Sequence, residues 1–139
     1  MNLSPQVEMV LRLLLAAGLS AGIGYQRERF RKAAGLRTHI LIGVGSALFT
    51  IASIYGFNGA VDPSRVAAGV VAGIGFIGAG VIFRGMRGEH EEHLAGLTSA
   101  ACIWITAAIG LAAGAGMYLI SVIAAAITVG VLMLPKVRG

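Results

Sequence analysis

The run that decides the fold is Val66–Phe83, VAAGVVAGIGFIGAGVIF, whose centre Gly73–Gly78 reads GIGFIG. As a pattern this is G-x-G-x-x-G, the turn that cradles a dinucleotide. That fingerprint needs a strand before it, a helix after it and an acidic residue about 20 positions on. Here apolar residues flank it on both sides, where a glycine-rich loop would leave backbone groups unpaired in hydrocarbon. The acidic residues downstream, Glu89, Glu91 and Glu92, belong to a charged loop. A nucleotide is excluded. Wound as a helix at about 100° per residue, the run separates by size instead. Gly69, Gly73, Phe76 and Gly80 form one line, with Ala68, Ala72, Gly75 and Ala79 beside it, and Val70, Ile74, Ile77 and Val81 fall opposite. Small residues four apart let helix backbones touch in lipid. The segment is therefore expected to be the packing centre of the fold or of a dimer, with Gly69, Gly73, Gly75, Phe76, Gly78 and Gly80 as its packing or interaction residues. Gly78 lies off the small face and calls for a second neighbour or a local kink.

The composition agrees with a membrane location. Of 139 residues 57% are hydrophobic and only 12% charged, with mean hydropathy +0.85. A soluble domain carries about twice that share of charge. One cysteine, Cys102, excludes an internal disulfide and any multi-cysteine metal site. Five apolar stretches are predicted as spanning helices, at roughly Val7–Tyr25, Thr38–Tyr55, Ser64–Phe83, Leu94–Ala113 and Met117–Leu134. All three prolines (Pro5, Pro63, Pro135) stand at their edges, where a helix tolerates them. The expected architecture is an all-α bundle of about five transmembrane helices over residues 1–139, without a soluble C-terminal domain.

Orientation follows from the basic residues. The loop QRERFRKAAGLR holds Arg27, Arg29, Arg31, Lys32 and Arg37; Arg84 and Arg87 follow the third span, and Lys136 and Arg138 the fifth. With five spans these nine of eleven Lys and Arg residues share one side, so the positive-inside rule puts the N-terminus outside and the C-terminus in the cytoplasm. The net charge of +5 is thus a topology signal, not a nucleic-acid footprint.

No carboxylate is predicted at the midplane. Mid-span polarity is read as hydroxyls and one thiol: Ser20, Ser46, Thr50, Ser53, Ser99, Cys102, Thr106, Ser121 and Thr128. Back-bonding and helix–helix contacts account for these. Asp62-Pro63 is a strong helix start, and Asp62 with Asn58 and Arg65 is the candidate outer polar cluster. A lone carboxylate there is the weak candidate for Mg²⁺, which keeps most of its waters; no firm metal site and no cofactor are read. GEHEEHL (Gly88–Leu94) places His90 and His93 three apart, too few ligands for zinc. Glu8 and Arg12, four apart, are placed to pair. Trp104 reads as packing. No nucleophile, base and orienting group occur together, so no enzyme is read.

Three motifs in order carry a resemblance. They are R-E-R-x-R-K-x-A-G-L-R-T-H from Arg27 to His39, D-P-S-R-V-A-A-x-V-V-x-G-I-G-F-I-G-A-G from Asp62 to Gly80, and G-L-T-S-A-A-x-I-W-x-T-A-A-I-G from Gly96 to Gly110. Together they closely resemble the membrane domain of the bacterial MgtC/SapB family. That resemblance implies a multi-pass inner-membrane protein linked to growth under magnesium limitation and to survival inside macrophages. It further implies action on other membrane proteins, such as ATP synthase, with a cation transporter or channel as the alternative. The motif matches fall on Glu28, Gly35, Leu36, Arg37, Thr38, His39, Asp62, Arg65, the glycines of the third span, Gly96, Leu97, Thr98, Trp104 and Gly110. Glu28, Arg37, Thr38, His39, Asn58, Asp62, Arg65 and Thr98 are the candidate polar functional residues. The expected partners are the lipid bilayer, a second copy in a dimer, and another membrane protein. Two departures stand out: many members add a soluble cytoplasmic domain, and GEHEEH is longer than the usual connection before G-L-T.

Overall fold

The computed structural model describes residues 4–59, 62–86 and 93–135. Five helices and no strand occur among them: α1 (Pro5–Arg29), α2 (Leu36–Tyr55), α3 (Ser64–Met86), α4 (His93–Gly114) and α5 (Tyr118–Leu132). The first four are long and apolar enough to cross a membrane; α5, at 15 residues, is shorter. At 1.5 Å per residue α5 spans ~22 Å, less than the ~30 Å hydrocarbon core.

Local chemistry sets the helix ends. Ser4 caps α1 by accepting from the Val7 N–H at 3.2 Å, with Pro5 in the first turn. Asp62 Oδ1 accepts from the Ser64 N–H at 3.0 Å and hydroxyl at 2.7 Å, so it caps α3 as expected of Asp-Pro. Gly116 ends α4 with φ +88°, where the Gly116 and Met117 N–H groups donate back to Ala113 and Ala112. This left-handed stop folds α5 tightly back on α4. The same paired bonds end α1, but there Arg31 takes the left-handed position at φ 55°.

The bundle is organised around α4, the one helix that packs against all four others. The third span is therefore not the packing centre of the chain: it is the least buried of the four long helices, while half of α4 is buried. The small residues that draw helices together lie elsewhere. A side chain on Gly43 would collide with Ser20 of α1, and one on Gly110 with the Gly43 carbonyl. On Gly114 it would come within 2.6 Å of the Ala47 carbonyl oxygen, and on Gly24 within 2.9 Å of the Leu36 backbone. Ala16, Ala47 and Ala113 complete this three-helix seam of α1, α2 and α4. α3 joins through its large face: Ile74, Val70 and Val81 pack on Ile103 and Ala107 of α4.

The molecule is inverted relative to a soluble protein. Leu41 (71% exposed), Phe76 (82%) and Leu119 (70%) point outward, whereas Arg12, Ser20, Arg27, His39, Ser99 and Thr106 are buried. Such a surface suits lipid. Trp104, expected in the packing, is 56% exposed on the same lipid-facing surface. Four hydroxyls behave as expected: Ser46 donates to the Ala107 carbonyl across the α2–α4 contact at 2.7 Å, and Thr50, Thr106 and Thr128 back-bond within their helices, whereas buried Ser20 Oγ has no partner among the described residues.

Candidate functional site

Three features stand out: a polar knot at each end of α1 and an open face on α3. The first knot centres on Arg12, only 7% exposed. Its Nη2 donates to Glu8 Oε2 at 2.6 Å and its Nη1 to the Gly114 carbonyl at 2.9 Å. The guanidinium also lies 5.3 Å from the centre of the Tyr55 ring. A cation thus sits on the negative carbonyl end of α4 and ties α1, α2 and α4 together. The expected Glu8–Arg12 pair is present, with this capping role added.

The second knot corrects the reading of Arg27 as a loop charge. α1 runs on to Arg29, which carries Arg27 inside at 3% exposure, and its Nη2 donates to Ser99 Oγ at 2.9 Å. Its Nε has no partner among the described residues, and no described carboxylate pairs with it. His39 is fully buried, its Nδ1–H donating to the Gly35 carbonyl at 2.8 Å, with Nε2 unpartnered. Glu28 caps α2 from outside: Oε1 accepts the Leu36 N–H at 3.0 Å, because the N-cap residue Gly35 has no side chain to do so. The two knots thus add buried ionisable groups, Arg12, Arg27 and His39, toward the helix ends. The signal was present in the sequence, since Arg12, Ala16, Ser20, Ile23 and Arg27 share one helical face once α1 is extended.

The remaining candidates do not converge. Arg37, Thr38, Asn58, Asp62, Arg65 and Thr98 are exposed; the Arg65 N–H donates to the Asp62 carbonyl at 3.2 Å, but no side-chain hydrogen bond or ion pair joins Asp62 to Asn58 or Arg65 among the described residues. Neighbouring Ser64 holds the Asp62 carboxyl below its usual range by donating two hydrogen bonds to it. No group of three metal-ligating side chains occurs among the described residues. The Glu89, His90, Glu91 and Glu92 segment lies outside them, as do the side chain of His93 and residues 136–139.

The open face is the small-residue line of α3. Side chains added at Gly69, Gly73, Gly75 or Gly80 would meet nothing within 4 Å, and only Gly78 touches the bundle, 3.5 Å from Ala100. α3 lies along α4 and barely meets α2, which leaves an apolar groove of about 670 Å³ between α2 and α3. Leu41, Gly45 and Phe49 form one side, with Gly69, Gly73 and Ile77 on the other.

The sequence model of the MgtC family matches residues 13–138. The chain belongs to the MgtC family. Over 132 residues, 90% of this chain and 59% of the relative, it is 48% identical to a protein of Escherichia coli K12 named "Putative magnesium transporter YhiD". It is 40% identical to protein SapB of Bacillus subtilis over 80% of this chain and 49% of that protein. It is 43% identical to protein MgtC of Brucella abortus over 68% of this chain and 37% of that one. The chain spans between a third and three fifths of the length of these relatives. No solved structure matches. This MgtC-family chain is a multi-pass helical protein of the inner membrane. Its first motif folds into the Arg27, Glu28, Gly35 and His39 knot, its second into the open face of α3, and its third into the central helix α4.

Proposed function

We propose that this MgtC-family membrane protein acts by receiving a transmembrane helix on α3, from a second copy or from another membrane protein whose activity it modulates. One observation carries the reading: a side chain added at Gly69, Gly73, Gly75 or Gly80 would meet nothing within 4 Å among the described residues. A glycine inside a helix costs about 1 kcal/mol relative to alanine. Four placed on an open lipid-facing surface weaken α3 with no return unless a backbone approaches there. The groove shared with α2 already has the apolar lining such a helix requires. The family resemblance points to the membrane sector of ATP synthase as one such partner, on the same footing as a second copy.

The second reading, passage of Mg²⁺ or another cation, takes its support from the name of the Escherichia coli relative. The interior argues against a route through the bundle, because its buried basic groups among the described residues are Arg12, Arg27 and His39, and no carboxylate is buried with them. A divalent cation about 5 Å from one guanidinium meets a repulsion of about 7 kcal/mol at an effective dielectric of about 20. Expected outcomes separate the two readings. Gly73→Leu abolishes crosslinking of α3 to its partner in native membranes while the bundle stays folded, and proteoliposomes show no saturable Mg²⁺ uptake. Robust uptake lost on Asp62→Ala establishes transport instead, and unchanged capture by a folded Gly73→Leu removes the α3 docking surface.

A further inference from the structure

A cleft of about 830 Å³ opens between the carboxyl-terminal ends of α1 and α5, and no residue of α3 lines it. Arg27, Arg29 and Lys32 form its basic wall, and Val129 and Leu132 of α5 its apolar one. Gln26 bridges the two, its Nε2 donating to the Leu132 carbonyl at 3.4 Å while its Oε1 has no partner. Arg27 is 3% exposed and spends one donor on Ser99, with its Nε unpartnered among the described residues. A buried guanidinium without a counter-charge is among the more destabilising things a fold can contain. Two further cations stand beside it, and no anion lines the cleft among the described residues.

We propose that the cleft holds the phosphodiester headgroup of an anionic phospholipid. Three features favour a lipid over a free phosphate. The cleft lies where two membrane helices end, the level at which headgroups sit. Its apolar wall continues along α5 and offers an acyl chain a surface. The buried Gln26 oxygen is an acceptor, which suits a headgroup bearing a hydroxyl, such as phosphatidylglycerol. Basic pockets between transmembrane helices bind anionic headgroups in this way. The site is independent of helix docking on α3 and can fail without it.

The test is native mass spectrometry of the full chain released from micelles, titrated with phosphatidylglycerol and with phosphatidylcholine of matched acyl chains. Phosphatidylglycerol is expected to bind the more tightly. The double variant Arg29→Gln/Lys32→Gln, at two exposed positions, is expected to weaken it about thirty-fold, roughly a factor of five per cation. Thr98→Trp, which puts an indole into the cleft and keeps every charge, is expected to do the same, and Arg37→Gln, exposed outside the cleft, to change nothing. Unreacted Cys102 verifies that each variant is folded. The proposal is overturned if the two lipids bind equally, if Arg37→Gln weakens binding as much as the double variant, or if Thr98→Trp leaves it intact. Displacement by millimolar glycerol 3-phosphate would make the site one for a free anion, and overturns it too.

Discussion

Exchanging alanine for glycine at two positions separates the glycines that hold this fold from those that face outward. Gly43 lies where three helices meet: an added methyl would strike Ser20 of α1, while the Gly43 carbonyl is itself pressed against Gly110 of α4. Ser20 Oγ can rotate away, but Ser20 Cβ at 2.8 Å and the Ala16 carbonyl at 3.3 Å are fixed to the α1 backbone, so Gly43→Ala must push helices apart. Overpacking of this kind costs about 1–3 kcal/mol. At Gly73 the added methyl meets nothing within 4 Å, and the gain in helix propensity is up to about 1 kcal/mol. The single cysteine supplies the assay, since Cys102 is buried at 3% exposure and reacts with a thiol-sensitive fluorophore only as the bundle opens. On a scale of about 4 °C per kcal/mol for a chain of this size, Gly43→Ala lowers Tm in detergent by about 4–12 °C. Gly73→Ala leaves Tm unchanged or raises it by a few degrees, yet weakens crosslinking through α3. Equal melting of Gly43→Ala and the parent, or a Gly73→Ala loss as large as that of Gly43→Ala, would refute the assignment of the two faces.

Arg12→Met removes the cation that caps α4 and leaves Glu8 unpaired; a loss of about 1–3 kcal/mol is expected, smaller when Glu8→Gln is added, read by the same melting assay. Arg31→Gly relieves a left-handed conformation that costs a residue with a side chain about 1–2 kcal/mol, and should raise Tm by several degrees. Asp62 has a folded-state pKa below its ordinary value, so its cap on α3 is fully formed above the unfolded-state pKa and fails as pH falls through the lowered one. Hydrogen exchange at the Ser64 amide, corrected for intrinsic rate, is expected to stay slow at pH 6 and to quicken only in strongly acidic solution. Asp62→Asn should abolish that dependence.

Much of the architecture was legible because lipid makes simple demands. Hydropathy located five helices to within a few residues, apart from the extension of α1 to Arg29, and the three prolines and Asp62 marked their ends. That extension is not legible in the sequence because R-E-R-x-R-K reads as a solvated loop. A dense basic run contains no periodicity that distinguishes its one buried arginine. Glu28 was recognised as a motif position, but its capping of Leu36 needs the chain reversal that brings α2 beside the end of α1. In the candidate cluster of Asn58, Asp62 and Arg65 the spacing sets the Arg65-to-Asp62 backbone bond but not the direction of the carboxylate, which accepts from Ser64.

Sequence alone determined the membrane class, the helical content, the family and the size segregation of the third span. Each of these depends on composition or on residues within a few turns of one another, and backbone geometry converts such local patterns directly into structure. Tertiary structure decided which glycines touch what. A helical wheel shows that Gly69, Gly73 and Gly80 share a face but not which neighbour that face meets. The packing of α1, α2 and α4 gives the close contacts at Gly24, Gly43, Gly110 and Gly114; α3 meets α4 through Ile74 and Gly78 and leaves Gly73 and Gly75 turned outward. The burial of Arg27 was settled in the same way, because a guanidinium lies inside or outside according to what packs over it.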